Sequence, residues 1–292
     1  MAKAHPLVAD LLKKVREEEK VWHDGYTGLH RRLEEDFETR FVNPRQRGRK
    51  ATSSRAKGIQ VDEELHLLVS LQLLSPDAAE LHLKEHYRKL KAKRRLIQKQ
   101  EKAMNKEAGI TAPLAKLPPI PNGMHAMTRR ALECLETEGI ELVATQVRLT
   151  DPDTGIRTKV DLLGIRQGER KVLLETKTGY DHELLHPNRV RVKLTGCAPF
   201  RDEKAHLLNC ASLQLVYEEA TLRDLYEWCP DETHVLALNP SQASLYPVEP
   251  RFREAGPRVR DYLAKKKGRI CQHRHPYEIQ KPIHKYLTKK SD

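Results

Sequence analysis

Long hydrophobic runs are missing from this sequence. No stretch of about 18 apolar residues occurs in its 292 positions, which excludes a membrane-spanning helix at the level of sequence. Aromatic residues are scarce, with two Trp and four Phe, so any core must be built from Leu, Val, Ile and Ala. Five widely spaced cysteines form no CxxC pair and no disulfide framework, as expected in a reducing, intracellular compartment. Nucleus, cytoplasm and viral factory are not distinguished. The opening segment, MAKAHPLVADLLKKVREEEK, has no secretory h-region and too many acids for a transit peptide. Acidic residues are also in deficit, 41 against 53 Lys and Arg, for a net charge of +12. A surplus of this size points to a polyanionic partner, and phosphate rewards Lys and Arg through counterion release. The expected partner is nucleic acid, with no membrane.

Helical spacing of apolar residues marks 1–110 as a basic helical region, interrupted by a polar, basic stretch at 43–58 that reads as a flexible linker. Pro76 opens a long helix whose second half is crowded with cations, among them Lys91, Lys93, Arg94 and Arg95. That face is expected to grip a nucleic-acid backbone. The N-terminal helices could also bind a protein partner. Residues 111–123 are proline-rich and serve as a linker, and 124–255 form the core domain. Residues 256–292 are a basic helix and tail.

The core reads α-β-β-β-α-β-β, an α/β layered sheet. Its third strand, KVLLETKT, drives a buried apolar run into Glu175 and Lys177. Alternation puts those two side chains on one face. Asp161 on the preceding strand arrives beside Glu175 through the QGER turn. Two adjacent carboxylates repel, and burial adds to the cost. One or two Mg²⁺ or Mn²⁺ ions held by Asp161 and Glu175 would offset it, leaving Lys177 to act on water or phosphate. Farther on, NRVRVKL alternates Arg189, Arg191 and Lys193 with apolar residues and reads as a strand carrying a phosphate-binding rail. Tyr180 could stack on a base. Gln214 stands in an apolar helix, where a buried amide needs partners.

The set Asp161…Glu175-Thr-Lys177 resembles the signature of the PD-(D/E)xK nucleases, and the order of elements resembles their RecB-type, lambda-exonuclease-like branch, over roughly Pro119 to Pro250. The resemblance implies a restriction-endonuclease-like core, a mixed central sheet flanked by helices. It implies an additional metal ligand from a helix before the first strand, at His125. It also implies a glutamine-led substrate motif at Gln214 and Tyr217. Where the family often has glycine three residues before the aspartate, this chain has Thr158. The branch sometimes carries a cysteine-bound iron–sulfur cluster, which the cysteine spacing here does not lead one to expect. The expected activity is metal-dependent hydrolysis of DNA, as an exonuclease on ends or single strands in replication, recombination or repair. Two alternatives stay open: a non-catalytic nucleic-acid-binding scaffold on a nuclease-like fold, and an RNA endonuclease of the cap-snatching kind.

Overall fold

Val172, Leu173 and Leu174 are all fully buried, which demands cover on both faces of their strand. The computed structural model supplies it. It describes residues 5–19, 26–39, 49–107, 119–167, 169–179, 190 and 192–273. The elements run α1 (Pro6–Glu19), β1 (Thr27–Gly28), α2 (Leu29–Phe37), α3 (Arg49–Leu71), α4 (Pro76–Glu107) and α5 (Ala126–Thr137). Then come β2 (Ile140–Asp151), β3 (Ile156–Arg166), β4 (Arg170–Thr178), α6 (Leu207–Tyr226), β5 (Glu232–Leu238), β6 (Ala243–Pro247), α7 (Pro250–Arg253) and α8 (Gly256–His273). The fold is a mixed central sheet flanked by helices, with an N-terminal helical region, as expected of an α/β restriction-endonuclease-like core. Among the described residues no helix is long and apolar enough to cross a membrane.

The sheet separates two apolar clusters. One joins α1, α2, α6 and α8 to one face, with Leu33, Phe37, Leu173, Tyr217 and Val259 at its centre. The other joins α3, α4 and α5 to the opposite face through Leu65, Leu83, Leu132 and Leu174. Two glycines permit close approaches. A Cβ on Gly256 would meet the Val216 carbonyl at 2.7 Å, so α8 can press onto α6 only without one. A Cβ on Gly58 would meet Thr178 Oγ1 at 3.1 Å, where α3 passes the end of β4.

Pairing around β3 positions the site. β3 runs antiparallel to β2 along most of its length. With β4 it pairs from Arg166–Arg170 only as far as Leu162–Leu174. Beyond that point the two strands part, and β1 takes a place beside the free start of β3, pairing Thr27 with Ile156 and Gly28 with Arg157 in parallel. β4 continues in parallel with β5, and β5 antiparallel with β6.

Four sequence expectations are corrected here. The described residues of 1–110 are not separate from the core: β1 is part of the sheet. Val8, Leu11 and Val15 of α1, with Leu29 and Leu33 of α2, recur at helical spacing and are buried in the same cluster as α6. The linker placed at 43–58 is helical from Arg49, because α3 extends N-terminally past its apolar part; 43–48 lie outside the described residues. The boundary at 255 is absent, since Val259 and Leu263 of α8 are fully buried and Arg260 pairs with Asp151 of β2. Of the strand read in NRVRVKL, residues 188, 189 and 191 lie outside the described residues, and the described ones form only an isolated bridge between Lys193 and Lys204.

Candidate active site

The parting of β3 and β4 creates the site. Continuing their register would set Asp161 opposite Glu175. Instead the Asp161 carboxylate enters the gap and accepts a hydrogen bond from the Thr176 backbone N–H at 3.0 Å. On its other side β2 also yields: the pairing skips Gln146 and Asp161, and Gln146 has φ of 54°, in the left-handed region. This kink turns the Gln146 amide to bond Asp161, which also touches the Glu175 carboxyl.

Glu175 is 2% exposed and Lys177 8%. The Lys177 ammonium donates to Glu175 Oε1 and, at 3.2 Å, to Gln214 Oε1 on α6. Gln214 Nε2 donates to Glu218 Oε1 at 3.2 Å, and Thr158 Oγ1 donates to the same oxygen at 2.7 Å. A chain of polar groups therefore runs Asp161–Glu175–Lys177–Gln214–Glu218–Thr158 through the interior. Two of its carboxylate oxygens, Glu175 Oε2 and Glu218 Oε2, are buried without a partner.

The electrostatics follow from this crowding. Burial raises Asp161 in spite of the Lys177 charge. Burial and then the Asp161 charge lift Glu175 well above the ordinary carboxylate range. Glu218 is pushed up to about 8, chiefly by burial. Asp62, on α3, rises to about 7 through burial and then the Asp161 charge. Without a cation these groups favour protons, so a divalent ion would displace them on binding.

A cavity of about 650 Å³ opens beside Asp161. Asp62 faces it from α3, Gln214 from α6, and Gln146 and Arg148 from β2. Glu18 of α1 and the start of α2, at Leu29 and His30, complete the wall. His30 keeps an exposed surface, yet the walls desolvate its ring and, with the Lys177 charge, lower it to about 4.

The donor set suits a hard divalent ion. Asp161 and Glu175 offer carboxylate oxygens, one of them orphaned and buried. Among the described residues no group of three or more His, Cys, Asp or Glu side chains converges as a ready-made cage. Mg²⁺ does not require one, since it is held by one or two carboxylates and keeps several waters.

The structure thus brings together Asp161, Glu175, Lys177 and Gln214, and it does not place His125 with them. His125 is the N-cap of α5: its Nδ1 accepts from the Met127 N–H at 3.2 Å, and its own N–H donates to Glu64. Glu64 is buried and also accepts from Tyr87 and Thr128, tying α3, α4 and α5 together. Glu64 and Lys57 are the charges that His125 feels. The acids that other helices bring to the cavity are Asp62 of α3 and Glu18 of α1.

Tyr217 is a second correction. It is 0% exposed, and its hydroxyl donates to Asp151 at 3.1 Å and shares a 2.7 Å bond with Thr154, so it cannot touch a bound strand. Asp151 is held low against the effect of burial by Arg260 and this hydroxyl. Tyr217→Phe should therefore cost about 1–2 kcal/mol in urea unfolding, as for one buried hydrogen bond to a charge, and leave nucleic-acid affinity unchanged. A loss of affinity in a fully folded variant would contradict this placement.

Of the other expected nucleic-acid contacts, Tyr180, Arg189 and Arg191 lie outside the described residues. Lys193 is exposed. Lys91, which donates to Asn122, and Lys93, Arg94 and Arg95 lie on α4, 32 residues and about 48 Å long. None of the four lines the cavity.

Sequence reasoning missed Asp62, Glu218, Gln146 and His30. Glu218 was within reach. It follows Gln214 by one helical turn in the same apolar stretch, so the argument that a buried amide needs partners applies to it too. Asp62 sits in the run Asp62-Glu63-Glu64, which reads as a solvated acidic patch.

No family model matches the chain, and no curated protein matches it. Among solved structures, a chain described as "Crystal structure of SSO0001" is similar at 12% identity, covering 90% of this chain and 86% of that one, with a TM-score of 0.27. A likeness at that level carries no argument about fold or activity.

Proposed function

We propose that this protein is a divalent-metal-dependent nuclease, hydrolysing phosphodiester bonds of DNA. The observation that carries the reading is the gap between β3 and β4. There Asp161, which lines the cavity, meets Glu175, which is buried behind it with one carboxylate oxygen unpartnered and a lysine fixed beside it. Asp161 and Glu175 would hold Mg²⁺ or Mn²⁺, and Asp62 faces the same cavity, where the Asp161 charge acts on it. The ion supplies Lewis acidity at the phosphoryl oxygen and a more acidic bound water. The chain's own residues do the rest. Lys177, held by Gln214 and Glu175, presents its ammonium to the phosphate or exchanges a proton with the attacking water. Glu218 and Thr158 fix the Gln214 amide, and so the direction of Lys177. The residue that departs from the family glycine, Thr158, thus has a role as a support.

The test is cleavage of end-labelled single- and double-stranded DNA, with RNA in parallel, across a Mn²⁺ titration. Wild type should cut DNA only with the metal. Asp161→Asn should lose at least about a hundredfold in rate. Asp62→Asn should lose about tenfold, and His125→Ala should stay within about twofold because its ring caps a helix. DNA binding without metal-dependent cutting would favour the scaffold, and cutting confined to RNA would favour the endonuclease alternative.

A further inference from the structure

We infer that Arg157, Lys159 and Arg148 form a phosphate track that leads one nucleic-acid strand, and not a duplex, to the carboxylates. The inference rests on the nuclease reading and specifies its substrate class. Along the first half of β3, Ile156, Thr158 and Val160 face the α6 side: the first and last are buried in that cluster, and Thr158 bonds Glu218. Alternation therefore turns Arg157 and Lys159 to the other face; it breaks at Asp161, since Val160 is buried on the α6 side and Leu162 on the opposite one, and Asp161 lines the same cavity. Successive members of this row stand about 6.7 Å apart, comparable to the step between phosphates on an extended strand. On β2, Arg148 pairs with Lys159, and the pairing skips Gln146 and Asp161 between Val147–Val160 and Thr145–Leu162. All five line the one cavity, and the Lys159 charge reaches Asp62 within it. Cations thus hold the approach, and acids hold the end where hydrolysis is proposed.

Two features restrict what enters. The cavity, about 650 Å³, lies within the range of about 300–1,000 Å³ typical of small-ligand sites; it suits a nucleotide or two, whereas the major groove of a duplex alone is about 12 Å wide. The track is also bounded: Gly28 of β1 pairs with Arg157, and Leu29 and His30 wall the cavity beyond it. The Arg157 guanidinium lies 5.0 Å from the Tyr26 ring centroid, which fixes its direction.

The test uses the full chain in EDTA, where nothing is cut. Binding of a labelled eight-nucleotide single strand, and of the same sequence as a blunt duplex, is followed by fluorescence anisotropy over a salt series. Arg157→Gln combined with Lys159→Gln should weaken single-strand binding by about tenfold or more and lower the slope of log K against log salt by about 1.4, two contacts at roughly 0.7 each. Duplex affinity should change less than about twofold. The charge-preserving pair Arg157→Lys with Lys159→Arg should keep the slope. An unchanged slope in the Gln pair, an equal loss for duplex, or loss of slope in the charge-preserving pair overturns the track. Asp161→Asn should retain the slope. A wild-type chain that shows the track but cuts nothing in Mn²⁺ overturns the nuclease reading alone; one that cuts and shows no track overturns the track alone.

Discussion

Lys177→Met should lower metal-dependent cleavage by about a thousandfold, within the range of about 10²–10⁴ for a positioned proton-transfer group, while Mn²⁺ affinity changes by no more than about threefold. Methionine keeps the stem that packs at the end of β4 and removes only the ammonium. That ammonium is not a donor atom for a cation, so the metal-binding oxygens of Asp161 and Glu175 survive the change. What is lost is the charge aimed by Glu175 and Gln214. Both partners then keep a buried acceptor with no donor, at a stability cost of about 1–3 kcal/mol. Rates are therefore compared well below the unfolding midpoint. Asp161→Asn should show the opposite pattern, with Mn²⁺ binding lost together with the rate. If Lys177→Met cuts like wild type, the lysine is a structural counterion to Glu175 and the proposed mechanism fails. Single-turnover rates with calorimetric Mn²⁺ titration separate these outcomes.

The β-α skeleton was legible because its signals are local. Strands β2, β3 and β4 have aliphatic runs bounded by turn sequences, and Pro76 marks the start of α4. Asp161, Glu175 and Lys177 were legible because strand alternation and one short turn fix their relation. The remainder of the site depends on contacts far apart in sequence. Asp62 reaches the cavity only because α3 crosses the end of β4, an approach that Gly58 allows and no periodicity announces. The start of α2 reaches the cavity only because β4 diverges from β3 and leaves an edge for β1. His125 was misread for the converse reason. Its position before the first core strand suits a ligand, but Glu64, 61 residues earlier, claims its backbone and its ring closes a helix. The cationic row of β3, Arg157 and Lys159, is a period of two in IRTKVD that the sequence reading passed over, and it gains meaning only once β2 has placed Arg148 alongside.

Metal-free protein should become less stable as pH rises from about 5 to 8, and Glu218→Gln should remove one group's share of that slope, roughly 1 kcal/mol per pH unit. Glu218 titrates at about 8 in the fold against 4.5 for an unperturbed side chain, with burial as the main cause. Between those values the native chain keeps a proton that the unfolded chain has released. The unfolded state then binds fewer protons, so stability falls with rising pH, by roughly 1 kcal/mol per unit for one group. Glu175, Asp161 and Asp62 are raised as well and add slope of the same sign. Glutamine at 218 imitates the protonated acid: its carbonyl can still accept from Thr158 and Gln214, and it does not ionise. Urea unfolding in EDTA at pH 5, 6, 7 and 8 should show wild type declining and the variant flatter, with the variant the more stable of the two at pH 8. Under the nuclease reading, Mg²⁺ should recover stability in wild type most strongly at pH 8, because it binds the native acids in place of the protons they have lost. Parallel pH curves for the two proteins would mean that Glu218 is already ionised in the fold, and the polar chain behind Lys177 would then need another source of its cohesion.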